Sequence, residues 1–393
     1  MKSVCFLLLF FSGMSFSFAQ PIQEYWLQAR MNGVYEMENG ADIQFWGFGD
    51  NAPPIPGNKV FLPGPLLRFK EGDSAIVHFK NNSPEMHTIH FHGLDVLTPY
   101  DGVPHTSVEI APNNSFDYKF KCKSAGTFLY HCHVLTTLHL AMGMYGMVIV
   151  DPPTGPGSLF ENGPTYTTEY PILASEFDLD WNNIPISPGP FNLFEANYFL
   201  VNGKSGSQLL NGDHDLVGTV GQSMALRFAN IGYGKVKYIF PNSLTFQVFS
   251  SDGRPLPNSF TANELVLFPG ERYDLIFTPN DTLMDFLTVE YWDLRDELLL
   301  GTNLLPLQIN LLSLQDLQIN AILEIRPNPA REKVYISNKS SEKLSVSIVN
   351  QFGQFILEKT IFPGENILHI NLPTGLYFLE SSEGSILKLQ VLN

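Results

Sequence analysis

Short segments of alternating apolar and polar residues run from residue 22 to about residue 150, with turn-forming residues between them. Ala75–Phe79 and Phe116–Phe120 both alternate with a period of two, which places successive side chains on opposite faces of a strand. Pro112-Asn113-Asn114 is typical of the turns that separate such strands. This spacing predicts an all-β sandwich or barrel for the first part of the chain.

Composition divides the rest of the chain into two further blocks. The Pro/Gly-rich stretch Asp151–Gly157 is typical of a linker, and a second β-rich block follows it. The composition shifts again after Leu312, where a third block of short strands begins without any cluster of candidate ligands. At 393 residues the chain is longer than one ordinary core requires. We therefore predict three domains, at residues 20–152, 153–312 and 313–393.

The first nineteen residues have the pattern of a secretory signal peptide. Lys2 precedes the apolar run Val4–Phe11, and Ser17-Phe18-Ala19 has small residues at both cleavage-determining positions. We expect residues 1–19 to be removed, so that the mature chain begins near Gln20. No later segment reaches the roughly 20 apolar residues of a transmembrane helix. The net charge of −16, without a run of Lys and Arg, argues against nucleic acid as a partner.

Two cysteines, Cys122 and Cys132, remain after the signal peptide is removed. A disulfide between them is the ordinary expectation for an exported protein. Cys132, however, lies between His131 and His133, a position that suits a metal thiolate better than a structural disulfide. We therefore predict that the two cysteines are unpaired and that Cys122 is a buried free thiol.

Two histidine-rich segments carry the candidate chemistry. In each of them a pair of histidines lies two residues apart and therefore shares one face of a strand: His90, His92, His131 and His133. Cys132 projects to the opposite side of its strand. Pairing of the two strands would form a four-imidazole cluster on one side and leave a single thiolate on the other.

The thiolate side fits a trigonal blue-copper site, in which a cysteine and two histidines are completed by a weak axial methionine. The expected ligands, some of them from flanking loops, are Cys132, His87, His139 and the axial Met144. Met142 is the competing axial candidate, but the five-residue offset of Met144 from His139 leaves room for a turn. The soft sulfur ligands favour copper over magnesium or calcium, so copper is the predicted cofactor.

These segments resemble the copper motifs of multicopper oxidases, through His90-Phe91-His92-Gly93 and Tyr130-His131-Cys132-His133. The surrounding motifs resemble that family's first cupredoxin domain: Pro63-Gly64-Pro65, Gly72-Asp73, Asp101-Gly102-Val103-Pro104 and Tyr145-Gly146-Met147-Val148. The second block resembles its second cupredoxin domain through Leu226–Asn230, Ser251-Asp252-Gly253 and Pro269–Arg272. The resemblance covers residues 22–312 and implies two cupredoxin-like Greek-key β-sandwich domains.

The resemblance also implies a role for each ligand. His87, Cys132 and His139 would hold type 1 copper with Met144 axial, His90 would be a type 2 ligand, and His92, His131 and His133 would be type 3 ligands. The two histidines beside the cysteine would carry electrons from the type 1 site into the cluster. No catalytic residue beyond these metal ligands is implied. The expected partners are a small-molecule or metal-ion electron donor and O2, with a redox protein as a further candidate.

The chain departs from the family in its number of histidines. A trinuclear cluster of this family takes eight histidines from two domains, whereas one copy of this chain offers four. Ser243-Leu244-Thr245-Phe246 stands where related copper domains carry histidines, and His214 is the second block's single histidine. Either two first domains meet in a homo-oligomer, or the cluster is incomplete. We therefore predict a copper oxidoreductase of multicopper oxidase type whose O2-reducing cluster is completed by oligomerisation.

Two other functions remain open at this point. One is a non-enzymatic blue-copper protein that carries electrons or sequesters copper outside the cell. The other is a copper nitrite reductase, although that family needs an aspartate where this chain has His90 and a second-domain histidine that is missing here. Asp101, chiefly a turn former, is also a candidate proton donor to oxygen.

The third block resembles the C-terminal sorting domain of the type IX secretion system. The motifs that carry this resemblance are Pro327-Asn328-Pro329, Val349–Gly353, Leu372–Tyr377 and Lys388-Leu389. The resemblance implies export across an outer membrane, through the periplasm, to the extracellular space or the cell surface. An ordinary terminal β-domain is the alternative.

Overall fold

The computed structural model describes residues 22–53, 57–182, 191–311, 323–350, 355–370, 372–382 and 386–391. The predicted signal peptide at residues 1–19 lies outside these ranges. The chain divides into two compact units, Met1–Asn310 and Leu311–Asn393. Strands dominate both units, and the prediction of an all-β chain is confirmed. Within the described ranges, no helix has the length and apolar character needed to cross a membrane.

The first half of the larger unit is a β-sandwich. Its strands are β1 (Ile22–Glu36), β2 (Asp42–Asp50), β3 (Leu67–Lys70), β4 (Ser74–Asn81), β5 (His90–His92), β6 (Ser115–Lys121), β7 (Gly126–His131) and β8 (Tyr145–Asp151). A sheet of order β2-β1-β4-β6 packs on a sheet of order β3-β8-β7-β5. Strand β4 alternates between half-buried and buried residues along its whole length, as its period-two sequence predicts. Aromatic side chains such as Phe79, Phe91 and Tyr118 fill the core between the sheets.

The second half of the larger unit is also a sandwich. Its strands are β9 (Thr168–Phe177), β10 (Tyr198–Val201), β11 (Leu216–Thr219), β12 (Met224–Asn230), β13 (Lys235–Ile239), β14 (Phe246–Ser251), β15 (Arg254–Ala262), β16 (Glu264–Leu267), β17 (Arg272–Phe277), β18 (Leu283–Trp292) and β19 (Leu299–Asn310). The sheet orders are β10-β9-β12-β17-β14-β15 and β11-β19-β18-β13-β16. The rings of Phe228 and Tyr238 stack in its core with 3.9 Å between their centroids. This sandwich begins after the predicted linker and packs against the first.

Short helices connect some of these strands. They are α1 (Thr136–Ala141) and α2 (Leu179–Asn182), with 3-10 turns at Thr98–Tyr100, Phe191–Leu193 and Gly206–Leu210. Asn182 at the end of α2 donates a hydrogen bond from its side chain to the carbonyl of Ala141 at the end of α1. Helix α2 of the second half therefore fixes the end of α1 in the first.

A buried ion-pair network joins the two sandwiches. The Arg227 side chain is fully buried, with Nε 2.5 Å from a Glu169 carboxylate oxygen and Nη1 3.4 Å from Asp274. Glu169 also pairs with Arg68 of strand β3, at 2.6 Å. Asp274 in turn accepts a hydrogen bond from Thr127 of strand β7. Buried charges are tolerated only when they are paired, so this network fixes strand β7 relative to the second sandwich.

The smaller unit is a separate assembly of short strands. They are β20 (Leu323–Arg326), β21 (Lys333–Asn338), β22 (Leu344–Asn350), β23 (Phe355–Ile361), β24 (Gly364–His369), β25 (Gly375–Ser381) and β26 (Ile386–Val391). The sheet orders are β20-β21-β24 and β23-β22-β25-β26, around a core that includes Val334, Ile348 and Leu389. Residues 351–353 of the predicted sorting motif lie outside the described ranges.

Candidate metal centre

The pairing of strands β5 and β7 brings the two histidine-rich segments together. The strands are antiparallel, and His90 lies opposite His131. Phe91 is fully buried in the core, where its ring lies 5.6 Å from that of Tyr118. Since neighbouring residues of a strand face opposite ways, His90 and His92 project away from the core.

On the core side, the Cys132 sulfur lies between two imidazoles. Its Sγ atom is 3.0 Å from Nδ1 of His139 and 3.6 Å from Nδ1 of His87, and all three side chains are fully buried. The three candidate ligand atoms lie within 4.8 Å of one another. A thiolate with two imidazoles that present the same nitrogen is a donor set that fits copper.

His139 was expected in a flanking loop, but it lies on helix α1. Leu135 adopts a left-handed conformation with φ of 43° and turns the chain from strand β7 into the helix. The first turn of α1 then closes through a hydrogen bond from the His139 amide to the Leu135 carbonyl. The expectation was wrong because a six-residue helix is too short to show a helical period in the sequence. His87 is held in an isolated bridge with Ile110.

Met144 and Met142 are both buried near this site, but their surroundings differ. The Met144 amide donates to the His139 carbonyl, and its own carbonyl accepts from the Cys132 amide, each at 3.0 Å. The Met142 sulfur instead accepts a hydrogen bond from the Asn182 side chain at 3.5 Å. This difference supports Met144 as the axial candidate.

The four remaining histidines gather on the other side of β7. The ligand atoms of His90, His92 and His131 lie within 4.8 Å of one another. Strand β7 ends at His131, so His133 lies beyond the strand, yet its ring stacks at 23° on that of His131 with centroids 5.8 Å apart. The His133 ring is also 5.1 Å from that of His90.

Hydrogen bonds at Nδ1 orient three of these rings. His90 Nδ1 donates to the Asp101 carbonyl at 2.8 Å and lies 3.2 Å from the Asp101 carboxylate. His131 Nδ1 donates to the Cys132 carbonyl at 3.0 Å, and His133 Nδ1 lies 3.2 Å from the Thr136 hydroxyl. With Nδ1 engaged in this way, the Nε2 atom of each ring is left for a metal.

Burial sets the protonation states of both groups. It lowers the pKa of His87 and His131 to about 3 and that of His139 to about 4. The pKa of His92 also falls to about 4, through burial and then through the neighbouring Arg272 cation. These imidazoles are therefore neutral at pH 7, the form that binds metals.

Both cysteines are free and buried, which confirms that they form no disulfide. Burial raises the pKa of the Cys132 thiol to about 12, and that of Cys122 likewise to about 12. Binding of a metal would therefore require Cys132 to release its proton to solvent.

The four-histidine group lines a cleft of about 340 Å³ between the two sandwiches. The second sandwich contributes Ile231, Gly232, Tyr233, Pro269 and Gly270 to this cleft. These residues offer backbone, apolar surface and a tyrosine ring, and none of them is a histidine. His214 lines a different cavity, beside Asp213 and Asp215.

Sequence reasoning missed several residues around the two groups. The Glu85 carboxylate lies 3.8 Å from Nε2 of His139, and the Trp46 ring stands edge-on to the His139 ring at 5.3 Å. Arg272 contacts the backbone beside His92 from the second sandwich. Glu85 and Trp46 lie in no motif, and the motif Pro269–Arg272 does not indicate that Arg272 lies near His92, because each of the three reaches the site only through tertiary contacts.

Comparisons with known proteins agree with this geometry. Residues 55–155 match the multicopper oxidase family, and residues 324–391 match the secretion system C-terminal sorting domain. The chain is 31% identical to Laccase-7 of Oryza sativa subsp. japonica over 240 residues, which cover 58% of this chain and 42% of that protein. It is 27% identical to the copper-containing nitrite reductase of Neisseria gonorrhoeae over 205 residues, which cover 50% of this chain and 46% of that protein.

The crystal structure of a blue copper oxidase from Nitrosomonas europaea is similar to this chain, with a TM-score of 0.59 and 26% sequence identity. The similarity covers 74% of this chain and 86% of that structure. The chain spans less than half the length of the two curated relatives named above. Residues 55–155 thus match the multicopper oxidase family within a cupredoxin fold that holds a candidate copper site, and the chain also carries a C-terminal type IX sorting domain that indicates export.

Proposed function

We propose that this chain is an exported oxidoreductase of multicopper oxidase type that accepts electrons at the Cys132 site and delivers them to O2 at the histidine cluster. The observation that carries the proposal is that one tripeptide joins both ligand groups. Cys132 lies in the buried thiolate site, while His131 and His133 line the cleft on the opposite side. Copper, when bound, supplies one-electron redox chemistry at each site.

The chain itself provides the connection between the two sites. Cys132 and His131 are joined by a peptide bond and by the hydrogen bond from His131 Nδ1 to the Cys132 carbonyl. Both routes are short and buried, so no rearrangement or solvent entry is needed between the two sites. The neutral form of the buried imidazoles also leaves a ring nitrogen of each as a ligand, Nδ1 in His87 and His139 and Nε2 in His131.

Asp101 fits a second task at the cluster. Its carbonyl and carboxylate both contact Nδ1 of His90, and its side chain remains about one third exposed. The first effect of these contacts is to fix the orientation of His90. Because this partly exposed carboxylate contacts a cluster histidine, it is also a candidate to pass protons from solvent to reacting oxygen.

We further propose that a second copy of the chain completes the cluster. The second sandwich closes one side of the cleft without offering a ligand. Any further histidines of the cluster would therefore enter from the open side of the cleft. The homo-oligomer would supply them from the first domain of a partner. The electron donor would be a small molecule or a metal ion, with a redox protein as a further candidate. The sorting domain would direct the assembly to the cell surface or the extracellular space.

Copper content, oligomeric mass and O2 uptake of the same preparation test this proposal. We expect more than one copper per chain, an EPR signal from the cluster in addition to that of the Cys132 site, and O2 uptake with a phenolic or metal-ion donor. One copper per chain, with no O2 uptake in any oligomer, would contradict the proposal.

A non-enzymatic blue-copper electron carrier is the second candidate. The specific observation in its favour is the second-sandwich wall of the cleft, which carries no histidine. This candidate predicts an intense thiolate-to-copper absorption without O2 uptake. Nitrite reduction is a weaker alternative, since His90 stands where those enzymes need an aspartate, and nitrite consumption with a reduced donor tests it directly.

A further inference from the structure

We infer that Arg272 is a positioning residue for His92, through which the second sandwich controls a cluster to which it gives no ligand. The inference rests on the proposed function in one respect, namely that the histidine group binds copper. The four histidines differ in their hydrogen bonds. His90, His131 and His133 each have a hydrogen bond at Nδ1, whereas the His92 ring has no hydrogen-bond partner in the described part of the chain. The orientation of His92 must therefore come from packing.

Two glycine backbones confine His92. Gly270, with φ of +83°, lies against its ring, because a Cβ at that position would be 3.1 Å from Cε1 and 3.4 Å from Nε2 of His92. Gly93, with φ of +88°, directly follows His92 in the chain. A Cβ at Gly93 would be only 2.3 Å from Nη2 of Arg272, so the guanidinium occupies the space where a side chain would lie.

Arg272 contacts both of these glycines. Its Nη1 donates a hydrogen bond to the Gly270 carbonyl, and its Nη2 packs on Gly93. The guanidinium thus links the residue that follows His92 to the loop that touches the His92 ring. Movement of Arg272 would release both contacts together.

The position of Arg272 is itself strongly determined. Its side chain is 4% exposed, and Nη1 lies 3.0 Å from the Asp252 carboxylate. Its Nε atom is 3.5 Å from the carbonyl of Thr127, on the strand that carries His131. A buried cation needs such partners, and the planar guanidinium reaches several of them at once, which a lysine ammonium does not.

The consequence is a site in which His92 is positioned by the second sandwich. Outer contacts of this kind change metal affinity by about 10- to 100-fold when they are removed. The thiolate site lies on the other face of β7 and should not respond. Arg272 would therefore affect copper binding at the histidine cluster and leave the Cys132 site unchanged.

The test is the copper affinity of the cluster in full-length Arg272→Met, measured by chelator competition and by the cluster EPR signal. We expect a loss of about 10- to 100-fold, with the blue absorption of the Cys132 site unchanged. Arg272→Lys should retain part of the copper affinity that Arg272→Met loses, because lysine keeps the positive charge but lacks the planar guanidinium. Arg254→Met is the matched control, since it removes another arginine of the second sandwich that pairs with Asp95 of the first, and it should change neither signal.

Gly270→Ala provides a second variant that keeps the guanidinium and adds a methyl group against the His92 ring. It should weaken the cluster copper alone, and it tests the contact even where Arg272→Met does not fold. Unchanged cluster affinity in the folded variants overturns the inference. Equal loss at both copper sites also overturns it, because that result indicates a general structural role. Absence of cluster copper in the unaltered protein would instead refute the proposed function.

Discussion

The Sγ atom of Cys132 lies 3.0 Å from Nδ1 of His139, although the cysteine follows a strand and the histidine lies on helix α1. Burial raises the pKa of this thiol to about 12 and lowers the pKa of the imidazole to about 4. In the metal-free protein at pH 7, the pair therefore consists of a protonated thiol and a neutral imidazole. Copper binding must therefore remove the thiol proton.

Loading of the Cys132 site with copper(II) at pH 7 should release about one proton per copper. The proton comes from Cys132, because His87 and His139 are already neutral at this pH. A weakly buffered indicator assay measures the release during titration of the metal-free protein. Cys132→Ser should lose both this proton and the intense blue absorption, while Cys122→Ala should keep both. Undiminished proton release in Cys132→Ser would contradict the assignment of the thiolate.

Met144→Leu should shift the reduction potential of the blue site upward and keep most of its absorption, because the axial thioether tunes the potential. Met142→Leu should leave the potential unchanged, since the Met142 sulfur is hydrogen-bonded to Asn182. Met142→Leu should lower the free energy of unfolding by less than about 1.5 kcal/mol, because the substitution conserves the volume of the side chain. Redox titration of both variants distinguishes the two methionines. A shift in Met142→Leu alone would reverse the assignment.

Arg227→Met should destabilise the larger unit by about 3–5 kcal/mol, because it leaves Glu169 and Asp274 as buried carboxylates with fewer partners. The measurement is the urea midpoint of the full-length protein. Arg295→Met is the control, since its ion pair with Asp293 is largely exposed on the arginine side and should leave the midpoint unchanged. Equal midpoints for the two variants would show that the buried network does not hold the sandwiches together.

Acid should destabilise the metal-free protein well before its carboxylates titrate. The folded pKa values of His87 and His131 are about 3, below the unfolded value of about 6.5, so the unfolded chain binds more protons. Their contribution to stability is therefore complete above about pH 6.5 and is lost as the pH falls toward about 3. Each histidine adds a slope of up to about 1.4 kcal/mol per pH unit in this window.

Urea unfolding of the metal-free protein between about pH 4 and pH 8 measures this slope. His87→Asn should reduce the slope of stability against pH by the contribution of one histidine. Stability that stays constant across the window, or that rises as the pH falls, would contradict the depressed pKa values.

Much of the ligand grouping could be predicted from the sequence, because it depends on short-range geometry. The period of two in a strand places His90 and His92 on one side, and the position of Cys132 between two histidines assigns the thiolate to the other. Strands such as β4 and β6 are equally local, since alternation and turn residues define them. The all-β architecture followed from the same kind of pattern, whereas the export domain followed from short motifs that resemble a known sorting domain.

The tertiary structure alone decided which other groups reach these ligands. Asn182 contacts the Met142 sulfur from 40 residues away, and Arg272 reaches the Thr127 carbonyl across 145 positions. A sequence pattern states which face of a strand is buried, but it does not state which residue is packed against that face. The hydrogen bond to the Met142 sulfur and the arginine beside His92 both depend on such long-range packing. The sequence alone therefore predicted the candidate copper ligands, and the folded chain determined what surrounds them.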